Sequence, residues 1–337
     1  MWLQKKNCLM SFHNIFDTDK KKALLALSIT SLVWGASTPI MKWALLVTPV
    51  FVLAFLRFFV AALLLLFLRP NLHIQKKDIW KIILAALFGT SINISLLFIG
   101  LNLSTAINAA AIAAIVPLLT LLSSALFFNE KMTKNLLVGA LLGLFGIFVI
   151  LLEPIIDGGF SAGVLGNALL ILAALSWVVY ELLGKSLSKK YSSITIVFYT
   201  FLLGGLTFIP FAFNDLFTVI PKIYNLPQFY IGAGFGILLS SILAYIFWQW
   251  GLSKLTVSRA GFFLYLNPIV ATIVAFFLLQ EVITPTFVIG ALLVFGGLYV
   301  GEGGLRYFPE FHLFSHLIIN NKKGGINHET KEKPLEQ

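Results

Sequence analysis

The sequence is poor in charge and contains a single cysteine. Only 11% of its 337 residues are Asp, Glu, Lys or Arg, less than half of the roughly 25% typical of a soluble domain. Soluble enzymes and disordered chains are excluded, because a soluble protein needs more polar groups to cover its surface. Cys8 is the only cysteine, so neither an internal disulfide nor a cysteine-based metal cluster can form.

Apolar residues are abundant instead, at 59% of the chain. They form ten runs of about 20 residues, the length of a helix that crosses roughly 30 Å of hydrocarbon. The runs lack the alternating pattern of a membrane barrel, so we expect an all-α integral membrane protein with ten spans. The predicted spans are 23–43, 50–68, 79–101, 105–127 and 136–152 in the first half, and 164–184, 194–213, 229–252, 258–279 and 286–301 in the second.

Groups that carry catalysis are scarce. The five histidines lie in the tails or in one loop, and there is no P-loop, no dinucleotide glycine fingerprint and no HExxH motif. Glu181 is the one acid well inside an apolar run. A membrane enzyme that works with paired acids or a metal needs more such groups. We therefore expect no enzymatic activity, no metal site and no cofactor.

Basic residues are concentrated in alternate segments between the runs. If both termini are cytoplasmic, 21 of the 24 Lys and Arg residues lie on that side, in agreement with the positive-inside rule. The exceptions are Lys42, Arg57 and Lys222. The net charge of +10 is thus interpreted as a sign of orientation rather than of nucleic-acid binding. We predict a multi-pass protein of a bacterial cytoplasmic membrane, with the tails 1–22 and 304–337 in the cytoplasm.

The two halves of the chain resemble each other, without a gap, at an offset of 151 residues. The matched pairs include Gly100 and Gly251, Thr105 and Thr256, Pro117 and Pro268, Glu130 and Glu281, and residues 139–142 and 290–293. Trp34 and Trp177 extend the similarity toward the front of each half, at an offset of 143. Five spans per half is an odd number, so the repeats 23–153 and 163–303 are expected to face opposite ways, as in many secondary transporters.

Aromatic and polar side chains recur at helical spacing within the spans, where they are candidates for the lining of a cavity. They are Trp34, Thr38, Arg57, Asn93, Trp177, Tyr180, Glu181, Tyr245, Tyr265 and Asn267. Trp34 and Trp177 lie about midway along their spans, which argues against a place in the aromatic belts at the membrane surface. The asparagines have the alternative role of joining helices by hydrogen bonds.

Arg57 stands out because a guanidinium inside a span costs at least roughly 2.5–3.5 kcal/mol. One interpretation gives it an anionic partner, either a substrate or Glu181. The alternative is structural, with Arg57 bound to helix-end carbonyls or extended toward the membrane surface.

Prolines and glycines also occupy equivalent places in the two halves. Pro117 and Pro268 interrupt the fourth and ninth spans, where they are candidates for hinges or for static kinks. Glycines such as Gly146 and Gly297 are expected to let the fifth and tenth spans pack closely together.

The sequence resembles the EamA-type branch of the drug/metabolite transporter superfamily over about residues 23–303. Residues 32–39, 56–58, 245–252, 266–268 and 289–293 carry the resemblance. It implies ten helices, cytoplasmic termini, a central cavity between the repeats and the transport of small metabolites such as amino acids. Where the family usually has Gly-Glu, this chain has Asn129-Glu130 and Gln280-Glu281. Its first span also lacks the glutamate that four-helix multidrug relatives use for proton-coupled export.

We therefore predict a secondary transporter or exporter of a small polar metabolite, foremost an amino acid or related zwitterion, that works by alternating access. A zwitterion fits because the candidate residues offer one base, at most one acid and several aromatic faces. The alternatives are a carrier of lipid-linked or nucleotide sugars and, in a different class, an integral membrane enzyme. The expected partners are the lipid bilayer and a small-molecule substrate, without nucleic acid, in a monomer or a weak homodimer.

Overall fold

A computed structural model describes residues 18–127, 134–158, 162–255 and 257–301, which are helices joined by short turns, with no β-strand in these ranges. The first half contains α1 (Thr18–Leu45), α2 (Val50–Leu68), α3 (Lys76–Leu103), α4 (Ala106–Ala113), α5 (Val116–Phe127) and α6 (Lys134–Gly158). The second half contains α7 (Ala162–Leu187), α8 (Ser193–Leu206), α9 (Ile209–Thr218), α10 (Ile220–Ile223), α11 (Pro227–Lys254), α12 (Val257–Phe262), α13 (Leu266–Leu279) and α14 (Pro285–Gly301). Cys8, Glu130, Thr256 and the predicted C-terminal tail lie outside the described residues.

The described chain is that of an all-α integral membrane protein. Five helices are long and apolar enough to cross a membrane, namely Lys22–Leu45, Val50–Leu68, Lys76–Leu103, Gly163–Leu187 and Pro227–Lys254. The bent pair α8 and α9 makes a sixth if it is counted as one span. The other predicted spans correspond to shorter apolar helices, which are Ala106–Thr120, Leu137–Gly146, Leu266–Leu279 and Pro285–Gly297.

The predicted span 194–213 is divided in the structure. α8 ends at Leu206, α9 begins at Ile209, and the two are inclined by 70°. Pro210 lies in the first turn of α9, where its missing N–H and its ring prevent α8 from continuing. The break therefore follows from a proline that the hydrophobic pattern alone does not take into account.

The interruptions predicted at Pro117 and Pro268 are present. α4 ends at Ala113, and two turn residues separate it from α5, which contains Pro117. In the second half a short 3₁₀ turn, Phe263–Tyr265, precedes α13, which contains Pro268. In both cases the helix is irregular at or next to the residue four positions before the proline, whose carbonyl the proline cannot serve because it has no N–H.

The third predicted span of each half corresponds to a helix with the same bounds at the repeat offset. α3 runs from Lys76 to Leu103 and α11 from Pro227 to Lys254, so both ends differ by the 151 residues of the sequence repeat. Each helix widens into a π-helical turn at matched positions, Leu87–Ser91 in α3 and Gly236–Leu243 in α11. The similarity of the two halves thus extends to a local irregularity of the backbone.

The expected close packing of α6 and α14 is confirmed. A Cβ added to Gly146 would lie 2.6 Å from the carbonyl oxygen of Gly290, and one added to Gly297 would lie 2.5 Å from that of Gly139. Because these neighbours are backbone atoms, only glycine allows the two helices to approach this closely.

Polar contacts tie together loops at one end of the helices. The buried carboxylate of Asp78 accepts hydrogen bonds from Nζ of Lys190, at 2.9 and 3.0 Å, and from the hydroxyl of Tyr191, at 2.9 Å. Lys254 at the end of α11 pairs with Asp19 at the start of α1, also at 2.9 Å. These contacts join the start of α3 to the segment that follows α7, and the start of α1 to the end of α11.

Candidate functional site

A cavity of about 150 Å³ lies between helices of both halves. Its polar and aromatic lining comes from α1, α2, α3, α7, α11 and α13 and consists of Trp34, Ser37, Thr38, Arg57, Asn93, Trp177, Ser240, Tyr245 and Asn267. The rest of the wall is aliphatic apart from Phe98 and Met41. A mostly apolar cavity with a few convergent polar groups is the usual form of a small-molecule site.

The structure brings together seven of the ten residues predicted to line a cavity. They are Trp34, Thr38, Arg57, Asn93, Trp177, Tyr245 and Asn267. Tyr180 and Glu181 are fully buried, but they are not part of the cavity wall. The side chain of Tyr265 lies outside the described part of the chain.

Arg57 is held in the wall by two serine hydroxyls of α11. Its Nε donates to Oγ of Ser241 at 2.9 Å, and its Nη2 donates to Oγ of Ser240 at 2.7 Å. The guanidinium also lies 4.9 Å from the ring centre of Phe58. A guanidinium has five N–H donors, so these two bonds leave most of them available. In the described residues the structure pairs Arg57 with hydroxyls and an aromatic ring and not with Glu181.

Two asparagines add amide groups to the cavity. Nδ2 of Asn93 donates to the carbonyl of Ala173 at 2.8 Å, which joins α3 to α7. The Oδ1 atom of Asn267 is buried and has no hydrogen-bond partner in the described structure. An unsatisfied buried acceptor is costly, so Asn267 is the better placed of the two to bind a donor group of a ligand.

Aromatic rings close one side of the cavity. The ring centroids of Trp34 and Trp177 are 5.2 Å apart, and Tyr245 lies 5.2 Å from Trp34 and 5.7 Å from Trp177. Trp34 is fixed by a 2.9 Å hydrogen bond from Nε1 to the carbonyl of Ser240. Trp248 packs against both tryptophans and is fully buried. These four rings form a rigid aromatic cluster to which α1, α7 and α11 contribute.

The sequence analysis missed the serines that hold Arg57. Ser240 and Ser241 are adjacent polar residues in the apolar run of α11, and Ser37 binds Ser240 across to α1 at 2.8 Å. Two consecutive hydroxyls within a predicted span are a signal that was available. Their importance emerges only when α2 and α11 are brought together.

The fold and the cavity define a class, that of helical membrane proteins with a polar site between two similar halves. The sequence profile of the EamA-like transporter family matches residues 21–152 and again residues 164–300. The chain therefore belongs to the EamA-like transporter family.

Similar proteins are found across prokaryotes. An uncharacterized transporter of Archaeoglobus fulgidus is 29% identical, over 83% of this chain and 98% of its own length. The uncharacterized transporter YetK of Bacillus subtilis is 27% identical, over 82% and 86%. A probable terminal-alkyne amino-acid exporter of Streptantibioticus cattleyicolor is 27% identical, over 82% and 92%. A crystal structure that is 20% identical matches 86% of this chain and 99% of its own, with a TM-score of 0.62, which supports the fold alone.

Proposed function

We propose that this protein is a secondary transporter of a small zwitterion, foremost an amino acid, and that it works by alternating access. The proposal rests on one observation, which is that the same cavity wall contains a positively charged donor and an unpartnered hydrogen-bond acceptor. Arg57 offers free N–H donors and positive charge to a carboxylate, and Oδ1 of Asn267 offers an unpartnered acceptor to an ammonium group. The faces of Trp34 and Tyr245 supply further attraction for the cation.

The size of the cavity favours a small solute over the larger alternatives. A cavity of about 150 Å³ holds a molecule of roughly the size of benzene, whereas sites for drug-sized ligands are about 300–1,000 Å³. A nucleotide sugar or a lipid-linked sugar is several times too large for this conformation. The similarity to a probable terminal-alkyne amino-acid exporter also supports a substrate of the size of an amino acid.

We also propose the topology of ten spans, arranged as two inverted repeats over residues 23–153 and 163–303. The equal bounds of α3 and α11 support the repeat. Contacts support the assignment of successive helix ends to opposite faces of the membrane. The carboxylate of Glu281 accepts hydrogen bonds from the backbone N–H of Ala106 at 2.8 Å and of Ile107 at 3.0 Å. That contact joins the end of α13 to the start of α4, both assigned to the outer face, whereas the Asp78 and Asp19 contacts join segments assigned to the inner face.

The orientation and the moving parts belong to the same proposal. The spans are proposed to cross a bacterial inner membrane with both termini in the cytoplasm, because basic residues are concentrated on that side. The helix breaks before Pro117 and Pro268 are the proposed hinges, since matched flexible points in two repeats allow one side to open as the other closes.

Counterflow in proteoliposomes tests the function. Proteoliposomes that contain the purified protein are loaded with one solute. Labelled amino acids, sugars, nucleosides and quaternary cations are then added outside, in parallel panels. We expect saturable exchange of zwitterions, and we expect Asn267→Leu to weaken it by about tenfold through loss of one hydrogen bond and of space. Lys222→Ala, at an exposed position of the short helix α10, is the matched control. Saturable exchange of the cations with none of the zwitterions would overturn the proposal.

A further inference from the structure

Glu181 is a buried acid that the proposed substrate site does not use. It lies on α7, one turn beyond Trp177, with no exposed surface, and it is not part of the cavity wall. Oγ1 of Thr120, on α5, donates to its Oε2 atom at 2.6 Å. Its Oε1 atom has no partner in the described residues.

The side of α11 that meets this part of α7 carries further unpartnered polar groups. Nε1 of Trp248 and both amide atoms of Gln249 are buried without a hydrogen bond in the described structure. A Cβ added to Gly184 would lie 2.7 Å from Nε2 of Gln249. Because Gly184 follows Glu181 by three residues, the two share a face of α7, and the free amide of Gln249 lies about one helical turn from the carboxyl group.

Charged groups are absent from the immediate surroundings of Glu181 in the described part of the chain. On α7, Tyr180 is adjacent, and Lys185 is occupied by the carbonyls of Leu252 and Leu255. α11 brings Tyr245, whose ring lies 6.1 Å from that of Tyr180. α4 and α5 have no titratable side chain. The other titratable groups of α11 are Tyr230 in its first turn and Lys254 at its end, which pairs with Asp19. The remaining ones on packed helices are Lys76, Lys77, Asp78 and Lys81 in the first two turns of α3, Lys134 at the start of α6, and Glu153, Asp157 and Arg259, whose side chains lie outside the described structure.

This setting fixes the protonation of the carboxyl group in the present conformation. An ionised carboxylate in a medium of low dielectric constant is strongly destabilised unless several donors or a cation surround it. Glu181 has one donor and no cation, so the neutral acid is the stable form here. Ionisation requires new donors, and the unpartnered ones on the side of α11 that meets α7 are Nε1 of Trp248 and Nε2 of Gln249.

We propose that Glu181 is a reversible proton-binding site that couples transport to a proton gradient, an inference that rests on the proposed transport function. One proton from water adds to the carboxylate to form the acid and leaves by the reverse step, so no other reactant is needed. The protonated group is held by Thr120, which follows the break at Pro117. The ionised group is stabilised by Trp248 and Gln249 of α11 instead. Proton binding therefore selects whether α7 is joined to α5 or to α11, which is a change that alternating access can use.

Infrared difference spectroscopy of the purified full-length protein tests the site without any substrate. Between neutral and alkaline pH we expect the loss of a C=O band from a buried carboxylic acid, since exposed carboxyl groups are already ionised at neutral pH. Glu181→Gln removes that band, and Asp215→Asn, which removes a carboxyl group of α9 that is not part of the cavity wall, leaves it in place. The absence of the band from the wild type, or its persistence in Glu181→Gln, would overturn the proposal.

A second variant decides the matter if Glu181→Gln does not give folded protein. Thr120→Val keeps the shape of the side chain and removes the hydroxyl that donates to Oε2. We expect the acid band to move to a higher frequency, because the hydrogen bond to the carboxyl group is lost. A band that does not move would show that another acid absorbs there, and Glu181 would be excluded.

The coupling is measured with amino acids in proteoliposomes under an imposed pH gradient. In Glu181→Gln we expect the ratio of gradient-driven accumulation to counterflow to fall by about tenfold, within the usual range of coupling energies, whereas Asp215→Asn keeps the wild-type ratio. An unchanged ratio in Glu181→Gln contradicts the coupling. A wild type that moves no zwitterion overturns the proposed function and the coupling with it, and the infrared result still decides whether Glu181 binds a proton.

Discussion

Lys42 and Lys185 perform the same structural role in the two halves of the chain. Nζ of Lys42 donates to the carbonyl of Leu101 at 2.9 Å and to that of Ser104, at the end of α3. Nζ of Lys185 donates to the carbonyls of Leu252 and, at 2.6 Å, Leu255, at the end of α11. The lysines are 143 residues apart and the acceptors 151, which are the two offsets of the sequence repeat. Each ammonium group satisfies carbonyls that a helix end leaves without partners.

Removal of either lysine cap is expected to weaken the fold. Lys42→Met and Lys185→Met retain much of the apolar stem, lose the hydrogen bonds to the helix end and should each cost about 1–2 kcal/mol of unfolding free energy. The measurement is the melting temperature of the purified protein in detergent. Lys222→Met, at an exposed position of the short helix α10, serves as the control and should melt like the wild type. If all three variants have the same melting temperature, the lysine caps contribute nothing to stability.

Adjacent glycines in α14 should respond in opposite ways to the same substitution. Gly297→Ala places a methyl group 2.5–2.6 Å from backbone atoms of Gly139 and Gly143, and such overpacking costs about 1–3 kcal/mol. Gly296 has nothing within 4 Å of an added Cβ, so Gly296→Ala should be neutral or stabilise the helix by up to about 1 kcal/mol. Melting temperatures in detergent compare the pair. Equal losses in both variants would mean that helix propensity, and not the contact between α6 and α14, sets the effect.

The proposed orientation predicts which positions a membrane-impermeant thiol reagent reaches in intact cells. Cys8 should be protected, because the N-terminal tail is placed in the cytoplasm. A cysteine introduced as Asn225→Cys in a Cys8→Ser background should be labelled readily, since Asn225 is exposed in a loop assigned to the outer face. Labelling after cell lysis controls for reactivity. The reverse pattern would contradict the proposed topology and place both termini on the outer face.

The fold was largely predictable because its determinants are local. Runs of apolar residues predict spans, and a proline marks the place where a helix must break, as at Pro117 and Pro268. The 70° bend after α8 was missed, although Pro210 carries the same signal as the other two prolines. Close packing of α6 and α14 followed from glycines such as Gly146 and Gly297, since small residues in a span serve little other purpose than close approach.

The candidate site was less predictable because it depends on contacts between distant helices. Spacing along a helix shows which residues share a face. The candidates selected in this way include Trp34, Arg57 and Trp177, which line one cavity in the structure. Spacing does not show where that face points, so Glu181 was grouped with the cavity although Thr120 binds it elsewhere. Arg57 is held by hydroxyls of α11 and not by Glu181. That contact depends on the meeting of two π-helical turns, Leu56–Val60 in α2 and Gly236–Leu243 in α11, which no short-range pattern reveals.

The role proposed for Arg57 predicts a change in selectivity rather than a uniform loss of binding. Arg57→Lys keeps a positive charge but loses the planar fork that matches a carboxylate. Ser241→Ala removes the acceptor of Nε and should misplace the guanidinium. For each variant we compare the affinity for an amino acid with that for the corresponding amine, which lacks the carboxylate. The wild type should prefer the amino acid, and the preference should fall by about tenfold in Arg57→Lys, equivalent to roughly 1.4 kcal/mol, and by less in Ser241→Ala. A purely structural role lowers both affinities by the same factor, so a preference that stays constant as binding weakens would remove Arg57 from the substrate site.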